Sequence, residues 1–236
     1  MGWTYLLDSH PYSAPQFKSP SFWHKYQFWL FLIAGAIIRQ IPIVSIPFNW
    51  LETYFHEISH GLAAIATGGT IIKIQLFANG SGLCTTQGGS AFFISFFGYA
   101  GAILWGGLIY SLAGHHQRLA QLFSGFVIFL LSASILLWAR DILTLIILAS
   151  LLTMFFMTMK LKKLKILQKF VQLLGIIVLL NSLFSPLHLL DGRNIGDGAT
   201  LSALTAIPEI LWVTIWLVLA LTMVFLLSRL KATAYR

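Results

Sequence analysis

Residues 41–66 read IPIVSIPFNWLETYFHEISHGLAAIA, and they decide how the rest of the chain is read. The stretch is long and apolar enough for a membrane-crossing helix, which needs about 20 mostly apolar residues. Pro42 and Pro47 open it, and Gly68-Gly69 follow it, as glycines commonly end helices. Inside it sit Glu52, His56, Glu57 and His60. Ionisable side chains are expensive in such a helix, so two histidines and two acids point to function.

The composition agrees with a membrane setting. Of 236 residues, 58% are hydrophobic and only 9% are charged, against about 25% in an ordinary soluble domain. Disorder needs low hydrophobicity and many charges, so it is excluded. A soluble enzyme of this size has no way to hide so much apolar surface. The net charge of +8 comes from few basic residues spread along the chain, which argues against nucleic acid as a partner. The single cysteine, Cys84, allows no intrachain disulfide and no Cys-rich metal site. It reads as a small apolar filler.

Further apolar segments lie at 23–40, 90–112, 119–138, 142–159, 166–184 and 209–229. With 41–66 they predict an all-α polytopic membrane protein of about six to seven transmembrane helices. Residues 70–87 break this pattern. Ile71, Ile72, Ile74, Leu76 and Phe77 are β-type, Asn79-Gly80 is a turn signal, and Leu83 to Thr86 suit a returning strand. A short β-hairpin or strand-loop insertion after the second helix is expected. The small residues Gly98, Ala100, Gly101, Ala102, Gly106 and Gly107 place segment 90–112 at the centre of the bundle. Residues 1–22 read as an irregular lead without a cleavable signal, and 23–236 as a single transmembrane domain. Lys160, Lys162, Lys163, Lys165 and Lys169 put the turn between the fifth and sixth segments on the cytoplasmic side.

On a helix, His56 and His60 lie one turn apart on one face, so both imidazoles can reach one metal ion. Glu57 sits beside the first of them, where its carboxylate can take a proton from a metal-bound water. This is the His-Glu-x-x-His arrangement of zinc peptidases. A catalytic zinc ordinarily takes three protein ligands and leaves one position open. The third must come from elsewhere. Asp8 lies in the polar lead, and Asp141 reads as an ion pair with Arg140. Glu52 is one turn before His56 and suits a supporting role. Glu209 opens a helix after Pro208, where an acid suits the helix dipole. Asp191 and Asp197 remain, each followed by glycine in a loop between apolar segments.

His56-Glu57-Ile58-Ser59-His60-Gly61-Leu62-Ala63-Ala64, with Thr67-Gly68-Gly69 behind it, resembles the site-2 protease class of intramembrane zinc metallopeptidases. It looks closest to the compact, metallopeptidase-like branch. In that class the aspartate of a second motif near the C-terminus is the third zinc ligand. Gly196-Asp197-Gly198-Ala199, with Leu201, Leu204, Thr205 and Pro208 to Trp212, resembles the compact branch. Leu190-Asp191-Gly192 resembles the larger members. The resemblance therefore implies Zn²⁺ held by His56, His60 and Asp197, with Asp191 as the alternative third ligand, and Glu57 as the catalytic base. It also implies that the 70–87 region holds substrate extended, with Ile72, Ile74 and Leu76 as binding residues. Asn181 resembles polar residues that line such a site, although a helix–helix hydrogen bond explains it as well. The implied activity is hydrolysis of membrane-embedded or membrane-proximal peptides. The protein would lie in a bacterial cytoplasmic membrane or an organelle membrane, with the lipid bilayer and a membrane protein or peptide as partners. A zinc-binding scaffold or chaperone without proteolysis is the alternative. A transporter is disfavoured because no inverted repeat is visible.

Overall fold

The computed structural model describes residues 22–161 and 163–230. The irregular lead expected over 1–22 lies outside them, except for Phe22, which begins the first helix. The seven apolar segments are α1 (Phe22–Arg39), α2 (Pro42–Ala66), α3 (Ala91–His115), α4 (Gln117–Leu137), α5 (Ile142–Met159), α6 (Leu164–Phe184) and α8 (Glu209–Arg229). Between α6 and α8 lie a 3₁₀ turn, Ser185–Asp191, and the short helix α7, Asp197–Thr205. The fold is a helical membrane bundle with a two-stranded insertion after its second helix, as the sequence predicts.

Fewer helices cross a membrane than there are apolar segments. By length and composition five qualify: α3, α4, α5, α8, and α6 with the 3₁₀ turn that continues it. The pair α1 and α2 bends by 110° and adds a sixth only if taken as one broken span. Pro42 causes the break. It stands in the first turn of α2, where its missing N–H costs nothing. It also holds Ile41 extended, at φ −97° and ψ 102°, so α1 cannot run on into α2. At its other end α2 closes in a Schellman arrangement, with Gly69 N–H donating to Ala64 O (2.7 Å) and Gly68 N–H to Ile65 O (3.1 Å).

Helix α3 holds the centre. It packs most extensively on α2 and α6 and also touches α4, α7 and α8. The largest apolar cluster joins Leu51, Tyr54, Phe55 and Ile58 of α2 to the undersides of the hairpin, α4, α5 and α6. A second, smaller cluster joins Tyr99 and Ala100 of α3 to Leu201 of α7 and to Trp212, Val213 and Trp216 of α8. It seats α7 against the middle of the bundle.

The hairpin is antiparallel, β1 (Thr70–Leu76) against β2 (Gly82–Gln87). Its turn closes with Phe77 N–H donating to Ser81 O at 2.9 Å, and Asn79 Oδ1 accepts from the Ser81 amide and hydroxyl. A bulge lies between Ile71 and Lys73. It corrects the expected substrate residues, because an extra residue shifts the alternation of faces. Ile71, Ile74 and Leu76 point into the core, Ile74 and Leu76 almost wholly covered, while Ile72 is exposed. The side chains of Ile74 and Leu76 therefore face the core and not the cavity. The outer edge of β1 is also taken. Ile74 N–H donates to Trp138 O (3.1 Å) and Leu76 N–H to Thr144 Oγ1 (2.9 Å).

The corner between α4 and α5 corrects another expectation. Asp141 is not spent on Arg140. Its carboxylate caps α5, accepting from Thr144 N–H and Thr144 Oγ1, both at 2.8 Å. The Thr144 amide bond holds its carboxyl below the usual aspartate range. The Arg140 guanidinium instead donates to the carbonyls of Ala139 and Leu137.

Candidate metal centre

His56 and His60 project from the second half of α2 toward α3, with their Nε2 atoms 2.9 Å apart. The glycine at position 98 of α3 makes this possible. A Cβ there would lie 2.6 Å from His60 Nε2 and 2.8 Å from His56 Cε1, so any larger residue displaces an imidazole. His60 Nδ1 lies 2.7 Å from Ile94 O. A carbonyl only accepts, so Nδ1 carries the proton and neutral His60 keeps its Nε2 lone pair facing His56. Such an anchor on the far ring nitrogen is how metal-binding histidines are usually oriented.

Asp197, the first residue of α7, completes the cluster. Its Oδ2 lies 3.2 Å from His56 Nε2 and 3.4 Å from His60 Nε2. Burial alone raises a carboxyl's pKa, but the two imidazoles outweigh it and hold Asp197 below the usual carboxylate range. Asp191 stands elsewhere. Its carboxylate accepts from the Arg193 amide (2.9 Å) and pairs with the Arg193 guanidinium.

The three converging atoms suit a metal ion. Ligands about 2.0–2.1 Å from a tetrahedral zinc lie roughly 3.3 Å from one another. The separations here are 2.9, 3.2 and 3.4 Å. Three electron-pair donors held so close repel one another unless a cation or protons lie between them, and two nitrogens with one carboxylate oxygen make a donor set suited to zinc. Glu57 stands beside them. It is buried, with its carboxylate within 4.8 Å of the two imidazoles.

The cluster opens into a cavity of about 940 Å³. Gly82, Leu83 and Cys84 of β2 form one wall, and Asn49, Glu52 and Thr53 of α2 continue the floor. Thr53 Oγ1 donates to Gly80 O at 2.6 Å, tying the hairpin turn to the helix that carries the histidines. Pairs Ile74–Cys84 and Leu76–Gly82 have their amides turned outward on the β1 side, so Cys84 and Gly82 turn their backbone groups to the opposite edge, toward the cavity. No strand pairs with that edge among the described residues. Burial and the neighbouring Glu57 push the Cys84 thiol up to about 12, so it is no nucleophile at neutral pH.

The supporting residues follow the same geometry. Glu52 Oε1 accepts from Ser185 Oγ at 2.9 Å, which binds the start of the 3₁₀ turn to α2. Asn181 Nδ2 donates to Asn49 Oδ1 at 3.0 Å, a helix–helix bond that also lines the cavity. Glu209 opens α8, but its Oε1 is buried against Gly198 without a hydrogen-bond partner among the described residues. Three participants have little or no signature in the sequence. Ile94 acts through its backbone, Ser185 has no motif around it, and Tyr99 is marked only as a phenol among small and apolar neighbours.

Comparison with known proteins identifies a family. The profile described as Peptidase M50B-like matches residues 29–227, which include every residue of the cluster. No curated protein and no solved structure matches the chain. An integral membrane bundle with a His-Glu-x-x-His helix facing an aspartate, matched over most of its length, thus belongs to the Peptidase M50B-like family of the site-2 protease class.

Proposed function

We propose that this protein is an intramembrane zinc endopeptidase acting on membrane-embedded or membrane-proximal segments of other proteins. One observation carries the reading: Nε2 of His56, Nε2 of His60 and Oδ2 of Asp197 converge within 3.4 Å of one another, with the Glu57 carboxylate alongside, at the wall of a cavity. His56, His60 and Asp197 would hold the metal. Zinc bound there polarises the scissile carbonyl and acidifies the attacking water.

The chain's own residues supply the rest. Glu57 takes a proton from water as the water oxygen adds to the carbonyl carbon. It hands that proton to the amide nitrogen as the C–N bond breaks. The Ile94 carbonyl keeps His60 in one tautomer throughout. A substrate helix hides its amides in its own hydrogen bonds, so cleavage requires an extended segment. The unpaired edge of β2 beside Gly82 suits strand addition next to Glu57, whose carboxylate already takes the Cys84 amide. This reading moves substrate contact from the side chains of β1 to the backbone of β2.

Zinc-loaded protein carrying Glu57→Gln tests the mechanism. It is expected to keep its zinc, measured by elemental analysis, and to lose cleavage of fluorescein-labelled β-casein, an unstructured chain. Cleavage equal to that of the unaltered protein overturns the assignment of Glu57.

A further inference from the structure

Peptide hydrolysis builds negative charge on the carbonyl oxygen as water adds, and peptidases stabilise it with a hydrogen-bond donor aimed at that oxygen. The cavity holds several donors besides the three metal-facing residues, and most are committed. Asn181 Nδ2 is bonded to Asn49, the Arg193 guanidinium to Asp191, and Thr53 to the Gly80 carbonyl. The Arg39 guanidinium lies over the Phe184 ring, 4.3 Å from its centroid.

Tyr99 differs from all of these. It follows Gly98, the residue that lets α3 touch the imidazoles, and it lines the same cavity. Its ring stands edge-on to His56 at 4.4 Å between centroids, and Trp216 backs it at 4.7 Å. Two aromatic neighbours thus fix the ring. The residue is only 8% exposed, but its hydroxyl makes no hydrogen bond among the described residues and keeps access to the cavity. It lies within electrostatic reach of Asp197, Glu52, Glu57 and Glu209, which places it at the acidic end of the cavity. A hydroxyl that reaches the cavity can donate to whatever occupies it.

We propose that Tyr99 is a further catalytic residue, whose hydroxyl donates a hydrogen bond to the scissile carbonyl oxygen as that oxygen becomes negative. The proposal rests on the peptidase reading above. It deepens that reading by naming a donor on α3, a helix that holds none of the metal-facing side chains. The phenol keeps its proton throughout. Glu57 handles the transferred proton, and Tyr99 only shares its own.

Tyr99→Phe removes the hydroxyl and keeps both ring contacts. Zinc content and thermal unfolding are expected to match the unaltered protein. The kcat on labelled β-casein is expected to fall about 10²-fold or more, as loss of one such donor does elsewhere, with little change in KM. A phosphinic peptide, whose tetrahedral P–O⁻ replaces the scissile amide, should bind the Phe variant correspondingly more weakly. One control separates this hydroxyl from the cavity's others. Ser95→Ala removes another hydroxyl on the same face of α3 and should retain most activity. Equal kcat and equal phosphinic-peptide affinity in Tyr99→Phe overturn the proposal, as does a loss in Ser95→Ala as large as that in Tyr99→Phe. If the unaltered, zinc-loaded protein neither cleaves casein nor binds the phosphinic peptide, the peptidase reading itself fails and takes this inference with it. Cleavage by the unaltered protein that persists in the Phe variant sinks the inference alone.

Discussion

Two short stretches of this chain are near copies, yet the fold uses them in opposite ways. In Leu190-Asp191-Gly192 the carboxylate turns back on its own loop and binds Arg193, two residues away. Gly192 adopts φ 80°, and a Cβ there would meet nothing within 4 Å. Its glycine serves the backbone conformation. In Gly196-Asp197-Gly198 the carboxylate leaves its neighbours and meets two imidazoles from the other half of the molecule. Gly198 is buried, and a Cβ there would fall 2.6 Å from Glu209 Oε1, so this glycine serves close packing. A local carboxylate finds its partner wherever the loop goes. A long-range one requires α7 to be seated, and the aromatic cluster of Tyr99, Trp212 and Trp216 seats it.

The largest expected effect is at Asp197. Asp197→Asn removes the anionic member of the cluster, and zinc affinity and casein cleavage should fall by more than the roughly 10–100-fold that loss of an outer-shell partner costs. Zinc retained at full stoichiometry would break the comparison. Gly98→Ala comes next. Its methyl group displaces an imidazole, so zinc should be surrendered to a chelator at about 10–100-fold lower concentration, with α7 still in place by protease resistance. Gly192→Ala tests the other loop. An alanine forced into the left-handed region costs about 1–2 kcal/mol, which should appear as a lower unfolding temperature with zinc content unchanged. Gly192→Asn should recover part of it. The smallest effect is expected for Asp191→Asn, because exposed ion pairs contribute little. Zinc content and cleavage should stay within about twofold, and a zinc loss like that of Asp197→Asn would reverse the two roles.

Much of this was legible beforehand because the signals are local. Each apolar segment became a helix, Asn79-Gly80 made the hairpin turn, and His56 with His60 fell on one helical face. The parts that escaped depend on distant partners or on a single extra residue. A bulge near Ile72 exchanged the faces of β1, and strict alternation gives no warning of it. Pro42 announces a helix start and so a break after α1, but the size of the bend, 110°, is not written in the local sequence. Asp141 looked paired with its neighbour Arg140, whereas Thr144 offered its carboxylate both an amide and a hydroxyl. The residues around Asp197 favoured it over Asp191 only through their resemblance to the compact branch; the packing of α7 on α3 and α8 that carries Asp197 to the histidines depends on distant partners.

The separation of the cluster along the chain has a consequence for biosynthesis. His60 and Asp197 stand more than half the chain apart. As synthesis proceeds from the N-terminus, the histidine pair enters the membrane long before its carboxylate exists. A nascent or prematurely terminated chain therefore carries Glu57 without a complete metal-binding set. Under the proposed function, the hydrolytic machinery is latent until α7 is inserted, and a protein that cuts membrane segments is harmless to its neighbours while it is being made.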